Sequence, residues 1–180
     1  MRRRLLLPCI AIAVMGATSQ PADAQPSGDT TVTFTVSTSN LTIEVPPSRN
    51  LRSGIPGQTI SGQLGTVTVM DQRAAANATW TATVVATQFD TETDDPTEVI
   101  LPNLVNYWSG PATATTGNGA LVPGQPTRAD RQSLERPRTA FSKTSGSGNN
   151  SASWNPTLTI TIPQDAAAGL DQGTVTHSVA

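Results

Sequence analysis

Apolar and polar positions alternate with a period of two along most of this chain, and threonine fills many of the polar ones. Val32, Phe34 and Val36 share one face of such a run, with Thr31, Thr33 and Thr35 on the other. Leu41, Ile43 and Val45 repeat the pattern until Pro46-Pro47 breaks it. Val67 and Val69 sit between Thr66 and Thr68, and Trp80, Ala82 and Val84 alternate with Thr79, Thr81 and Thr83. Near the end, Leu158, Ile160 and Ile162 alternate with Thr157, Thr159 and Thr161. Val175, His177 and Val179 then alternate with Thr174, Thr176 and Ser178. Successive side chains of a strand point to opposite faces, so each run predicts a strand with one apolar and one wet face. That is the signature of antiparallel sheets covered on one side, and β-branched residues suit such a surface.

Helical signals are nearly absent. Residues 103–106 suggest one turn, and residues 164–168, between Pro163 and Gly169, predict a short turn of helix. The loops differ in kind. Residues 50–57 are punctuated by Gly and Pro, and residues 90–98 are acidic. Residues 117–138 read as long and mostly irregular, and the Ser/Gly/Asn run 145–153 reads as a hairpin tip or a bulged turn. Many short strands about ten residues apart predict an all-β fold, an antiparallel β-sandwich or Greek-key barrel.

The N-terminus adds a location. Arg2, Arg3 and Arg4 precede an apolar run over 5–17, and Ala22-Asp23-Ala24 follows. This is the layout of a secretory signal peptide, which predicts a leader over 1–24 and one domain over 25–180. The apolar run is too short for a spanning helix, and no second run approaches the required length, so no membrane span is expected. Cys9 leaves with the leader. The expected location is secreted or extracellular.

Cleavage after Ala24 leaves eight basic and twelve acidic residues, a net charge of −4. With only 13% charged residues the chain has no basic footprint, so nucleic acid is not an expected partner. Few side chains remain that do chemistry. His177 is the only histidine, and its place in an apolar stripe fits packing better than a Ser-His-Asp site. One His and no Cys after cleavage argue against zinc. Asp90, Glu92, Asp94, Asp95 and Glu98 carry oxygens suited to calcium, but Pro96 interrupts them and no ligand ladder is present. Gly146-x-Gly148 lies in a hairpin-like region and reads as a turn. A carboxylate pair for glycoside hydrolysis is spatial and leaves no trace in sequence, yet the 4% aromatic content is low for a sugar cleft. The chain therefore reads as non-catalytic, with no catalytic residue, no metal and no cofactor.

The aromatic residues remain. Trp80 sits on an apolar face, and Trp154 follows the polar 145–153 run; both fit core packing. Tyr107 and Trp108 are neighbours, so a strand there buries one and exposes the other. An exposed Tyr or Trp makes a platform for sugar or peptide.

Two segments, Ala78-Thr79-Trp80-Thr81-Ala82-Thr83-Val84 and Gly173-Thr174-Val175-Thr176-His177-Ser178-Val179, give the chain a resemblance to the WxL domain family of bacterial surface proteins. Phe34-Thr35-Val36, Leu41-Thr42-Ile43-Glu44-Val45 and Gly65-Thr66-Val67-Thr68-Val69-Met70-Asp71 fit the same layout, so the resemblance covers residues 31–180. Trp80 matches the Trp of the first motif, with Ala82 where Leu is expected. His177 stands at the Trp of the second motif, Val179 at its Leu, and Asp171 near its Tyr. The resemblance implies an exported β-rich domain that binds peptidoglycan non-covalently, often beside other surface proteins. The binding residues expected on this reading are Trp80, His177, Tyr107 and Trp108, with Trp80 and His177 facing the interior or its rim. The alternative is a structural or adhesive β-sandwich that binds another protein by a sheet edge or by the 117–138 loop, without wall binding.

Overall fold

A computed structural model of the chain describes residues 31, 33, 40–91 and 99–180. The chain divides into two units, Met1–Val36 and Ser37–Ala180, and every element below belongs to the second. The expected leader, most of the expected 31–36 strand and most of the acidic 90–98 loop lie outside the described residues.

The fold is all-β. In chain order the strands are β1 (Leu41–Glu44), β2 (Thr59–Gln63), β3 (Val67–Asp71), β4 (Trp80–Ala86), β5 (Phe89–Asp90), β6 (Val99–Ile100) and β7 (Val105–Trp108). They continue as β8 (Ala112–Thr116), β9 (Leu121–Pro123), β10 (Gln132–Ser133), β11 (Arg138–Lys143), β12 (Asn150–Trp154), β13 (Thr157–Thr161) and β14 (Val175–Val179). Three four-stranded sheets run in the orders β1-β3-β12-β8, β10-β7-β13-β2 and β14-β4-β11-β9, and β5 pairs with β6. All of these pairings are antiparallel.

Two of the sheets share long bent strands. The β2–β3 run pairs with the β12–β13 run on both sides of a corner: Gln63 faces Thr157 before it and Val67 faces Trp154 after it. At the corner Leu64 N–H donates to Pro156 O at 2.9 Å. Gly65 makes the bend with φ of 106°, a region a Cβ disfavours, and Asn155 Oδ1 accepts its N–H at 3.2 Å. The β7–β8 run turns in the same way at Gly110, φ 69°. Strands that pass from one sheet to the next at such corners are the mark of sandwiches with crossed sheets.

The alternation seen in the sequence decides what is buried. Val67 and Val69, Trp80 and Ala82 with Val84, and Leu158 with Ile160 all enter one core with Val105, Tyr107, Phe141, Ala152 and Trp154. In β11 the register slips between Thr139 and Phe141. The extra residue places Phe141 and Lys143 opposite Ala82 and Trp80, on the core side, so the chain's one lysine is 1% exposed.

Several local expectations change. Residues 164–168 form no helix: Gln164 and Asp165 make a turn, with a single 3.4 Å bond from Ala166 N–H to Pro163 O. One turn fixes many torsions for one hydrogen bond, and nothing here extends it. The turn expected at 103–106 is a 3-10 turn over Pro102–Leu104, and Val105 already starts β7. The 117–138 segment is ordered, carrying β9, β10 and a 3-10 turn over Arg128–Asp130. Gln125 fastens it to the corner after β7: Ser109 Oγ–H and Gly110 N–H both donate to Gln125 O at 3.0 Å. The 145–153 run is a turn only to Asn149, because Asn150, Ala152 and Trp154 alternate inward as β12. Val45 stays 45% exposed, since β1 stops at Glu44 ahead of Pro46-Pro47.

Candidate functional site

The four residues singled out by sequence take three different positions. Trp80 opens β4 and is 3% exposed. Its ring lies 6.5 Å from that of Phe141, and its Nε1–H donates to Asn150 Oδ1 at 2.8 Å. Tyr107 is fully buried in β7, and His177 sits half-buried in β14 at the core's rim. Trp108, the neighbour of Tyr107, points to the opposite face and is partly exposed, as alternation requires.

Tyr107 and His177 belong to one hydrogen-bonded line that starts at Trp154. Trp154 stacks on Phe141 with ring centres 5.0 Å apart and donates Nε1–H to Tyr107 Oη at 3.1 Å. Tyr107 Oη and His177 Nε2 are 3.2 Å apart. An indole nitrogen only donates, so Tyr107 Oη accepts from Trp154, and we assign the hydroxyl's own hydrogen to His177 Nε2. That places the imidazole proton on Nδ1. Burial pushes the His177 pKa down to about 4 and raises the Tyr107 hydroxyl well above its ordinary range. At neutral pH the imidazole is uncharged and its Nε2 lone pair is occupied. The line ties β14 to the core.

A second polar cluster escaped the sequence. Asp71 ends β3 with no exposure and binds Arg73 twice: Nε donates to Oδ1 at 2.9 Å and Nη2 to Oδ2 at 3.0 Å. Asn150 Nδ2 donates to Asp71 Oδ2 at 3.2 Å, so the cluster reaches Trp80 through the same carboxamide. The Arg73 guanidinium and these donors hold the Asp71 carboxyl below its ordinary range against the opposing effect of burial. Lys143 Nζ donates to Ser145 O at 2.6 Å. The missed signal lay in the period of two: Asp71 follows Val67 and Val69 on the inner face, and Asn150 precedes Ala152 and Trp154.

The outer face of the β10-β7-β13-β2 sheet is different in kind. Register sets Trp108, Thr157 and Gln63 in one row. Ser133, Asn106, Thr159 and Ser61 form the next, and Thr161 with Thr59 the one after. The paired residues of these rows carry an indole, hydroxyls and carboxamides and no ionisable side chain, and Thr159 at their centre is buried. Thr59 Oγ1 and Thr161 Oγ1 are hydrogen-bonded at 3.2 Å. Such a face suits a ligand with many neutral hydroxyls and an apolar ring face.

A polar depression of about 380 Å³ lies among Thr87, Gln88, Asp90, Gln172, Gly173 and Thr174, at the base of the acidic loop. Asp90 is tied to Gln172 by backbone bonds in both directions, at 3.0 and 2.7 Å. Among the described residues no three His, Cys, Asp or Glu side chains gather as metal ligands. No helix among them is long and apolar enough to cross a membrane. No protein-family model matches the chain, and no curated protein matches it.

Proposed function

We propose that this chain is an exported, non-catalytic surface protein that attaches non-covalently to the glycan strands of peptidoglycan, in the manner its WxL-like segments imply. The observation that carries the reading is Trp108, partly exposed on a face whose neighbouring rows are all neutral hydroxyls and carboxamides. Glycan strands offer the complementary surface, uncharged hydroxyls above and C–H faces that lie flat on an indole. Trp80, Tyr107 and Trp154 serve this reading from inside, by fixing β4, β7 and β12. His177 holds β14 in place from the rim.

Co-sedimentation with purified peptidoglycan at low and high salt tests it. Paired rows without ionisable side chains predict pelleting that survives high salt, because there is little charge attraction to screen. Trp108→Ala should lower the affinity at least tenfold while leaving the melting temperature unchanged. Full recovery of the parent chain in the supernatant at both salt concentrations refutes the reading. The second reading, a protein partner without wall binding, has an observation of its own in the edge of β8, which pairs only with β12 among the described residues.

A further inference from the structure

We propose that Arg128, Arg131 and Arg138 form an anion subsite at the β10 end of the Trp108 face, and that it takes a carboxylate or phosphodiester carried by the glycan lying on that face. The subsite rests on the glycan reading above and engages the charged groups that the neutral rows leave alone.

The positive charge of this chain is unevenly placed. Four of the eight basic residues that remain after the expected leader, Arg128, Arg131, Arg136 and Arg138, fall within eleven positions. The two acidic side chains among them are already engaged. Asp130 Oδ2 accepts the Thr127 N–H at 3.0 Å and the Thr127 hydroxyl at 2.6 Å, which closes the cap of the 3-10 turn. Glu135 Oε1 accepts from Arg136 Nη2 at 3.0 Å. Among the described residues, Arg128, Arg131 and Arg138 have no carboxylate partner.

The frame under these guanidiniums is fixed. Leu134 is fully buried; its N–H donates to Val105 O at 2.9 Å, and its carbonyl accepts the Ala86 N–H at 3.4 Å. Arg131 Nη1 donates to Arg128 O at 3.2 Å, and Arg138 Nε donates to Ser133 O at 3.0 Å. Each of these two guanidiniums spends one nitrogen on a backbone carbonyl. A guanidinium carries five N–H donors in a planar fork, so each keeps a two-nitrogen edge for an anion. In Arg131 that edge is Nε with Nη2, the same edge through which Arg73 holds the Asp71 carboxylate. Carboxylate and phosphodiester groups both present the paired oxygens that fit it.

Register sets this group beside Trp108. β10 pairs Gln132 with Tyr107 and Ser133 with Asn106. One further step brings Arg131 level with Trp108, and alternation puts it on the outer side with Ser133 and Asn106. Arg131 has extended backbone there, with φ of −52° and ψ of 142°, and Arg128 and Arg131 are both exposed. Trp108, Thr157 and Gln63 continue the row away from the charge. A glycan along this row meets the indole with a sugar ring and the guanidinium with an acidic substituent. Wall glycans carry such substituents in two forms, carboxylates on peptide stems and phosphodiesters on attached polymers. The indole and hydroxyls give the part of binding that survives salt, and the guanidiniums add a part that salt screens.

Co-sedimentation at low and high salt tests the subsite, comparing the parent with Trp108→Ala and with the double variant Arg128→Gln, Arg131→Gln. Three preparations are used: intact wall, wall stripped of phosphodiester polymers with hydrofluoric acid, and wall glycan freed of peptide stems by an amidase. The parent should bind intact wall about fivefold more tightly at low salt than at high salt. The double variant should lose that difference and match the parent at high salt, with an unchanged melting temperature because both side chains are exposed. Loss of the salt-sensitive part on removing the polymers identifies the phosphodiester, and loss on removing the stems identifies the carboxylate. A double variant that binds as tightly as the parent at low salt, or a salt-sensitive part that neither treatment reduces, overturns the subsite. Parent binding that is equal at both salt concentrations and is weakened by Trp108→Ala overturns the subsite and leaves the glycan reading standing. Binding at low salt alone, lost in the double variant and kept in Trp108→Ala, supports the subsite and overturns that reading. A parent that never pellets overturns both.

Discussion

Acid should weaken this fold through one identifiable group. His177 is the chain's only histidine, and burial alone lowers its pKa from 6.5 to about 4. The geometry gives the reason a proton is unwelcome. Tyr107 Oη accepts the Trp154 indole N–H and, in the assigned Nδ1–H tautomer, gives its own hydrogen to His177 Nε2. Protonation turns Nε2 into a donor, and the Tyr107 hydroxyl hydrogen loses its acceptor. The unfolded chain binds this proton near pH 6.5 and the folded chain only near pH 4. Between those values the unfolded state holds the extra proton, so stability is full above pH 6.5 and falls as the pH falls towards 4. The complete difference is about 3 kcal/mol, of which about 2 kcal/mol is lost between pH 7 and 4.5. Asp71 does not confuse this window, because its carboxyl titrates below its ordinary 3.8 and its contribution is lost only at lower pH. Urea unfolding followed by tryptophan fluorescence at pH 7 and pH 4.5, on the parent and on His177→Phe, isolates the effect. Other carboxylates titrate in both chains and cancel in the comparison. The parent should lose about 2 kcal/mol more than the variant between the two pH values. Equal losses, or an imidazole that titrates near 6.5 by proton NMR of the folded chain, refute the reasoning.

Lys143, the only lysine, is 1% exposed with its amine bonded to Ser145 O. An amine-acylating reagent should therefore add one group to the native chain, at the α-amine, and a second only in denaturing urea, as read by intact mass; rapid double labelling of the native chain contradicts the buried position. The two corner glycines should separate backbone strain from crowding. A Cβ at Gly110 meets nothing nearer than Asn155 O at 4.0 Å, so Gly110→Ala carries only the positive-φ cost of about 1–2 kcal/mol. At Gly65 the Cβ also lies 2.8 Å from Pro46 Cγ, so Gly65→Ala should lower stability further in the same urea titration; equal effects would mean that Pro46 yields freely.

Much of the fold was legible because a period of two is a local property. Val67 and Val69, Trp80 to Val84, Leu158 and Ile160, and Val175 to Val179 each report their inner face without reference to any other strand. Tyr107 and Trp108 are separated into buried and exposed by the same rule. The candidate site was legible only in part. Asn150 was hidden because a Ser/Gly/Asn run reads as a turn, although its last residues alternate inward. Lys143 was hidden because a one-residue bulge at Ala140, invisible in sequence, turned it inward. Asp71 ends a strand, and its burial is intelligible only with Arg73 and Asn150 beside it.

By itself, then, the sequence determined the all-β class, the faces of most strands and the scarcity of reactive groups, since each depends on residue type and spacing along the chain. Tertiary structure alone decided which strands share a sheet, where the long strands turn at Gly65 and Gly110, and that β8 ends its sheet among the described residues. It also joined Trp154, Tyr107 and His177 into one hydrogen-bonded line across distant parts of the chain. Those outcomes depend on cross-strand register, and register is set by contacts between segments far apart in sequence, which no local pattern encodes.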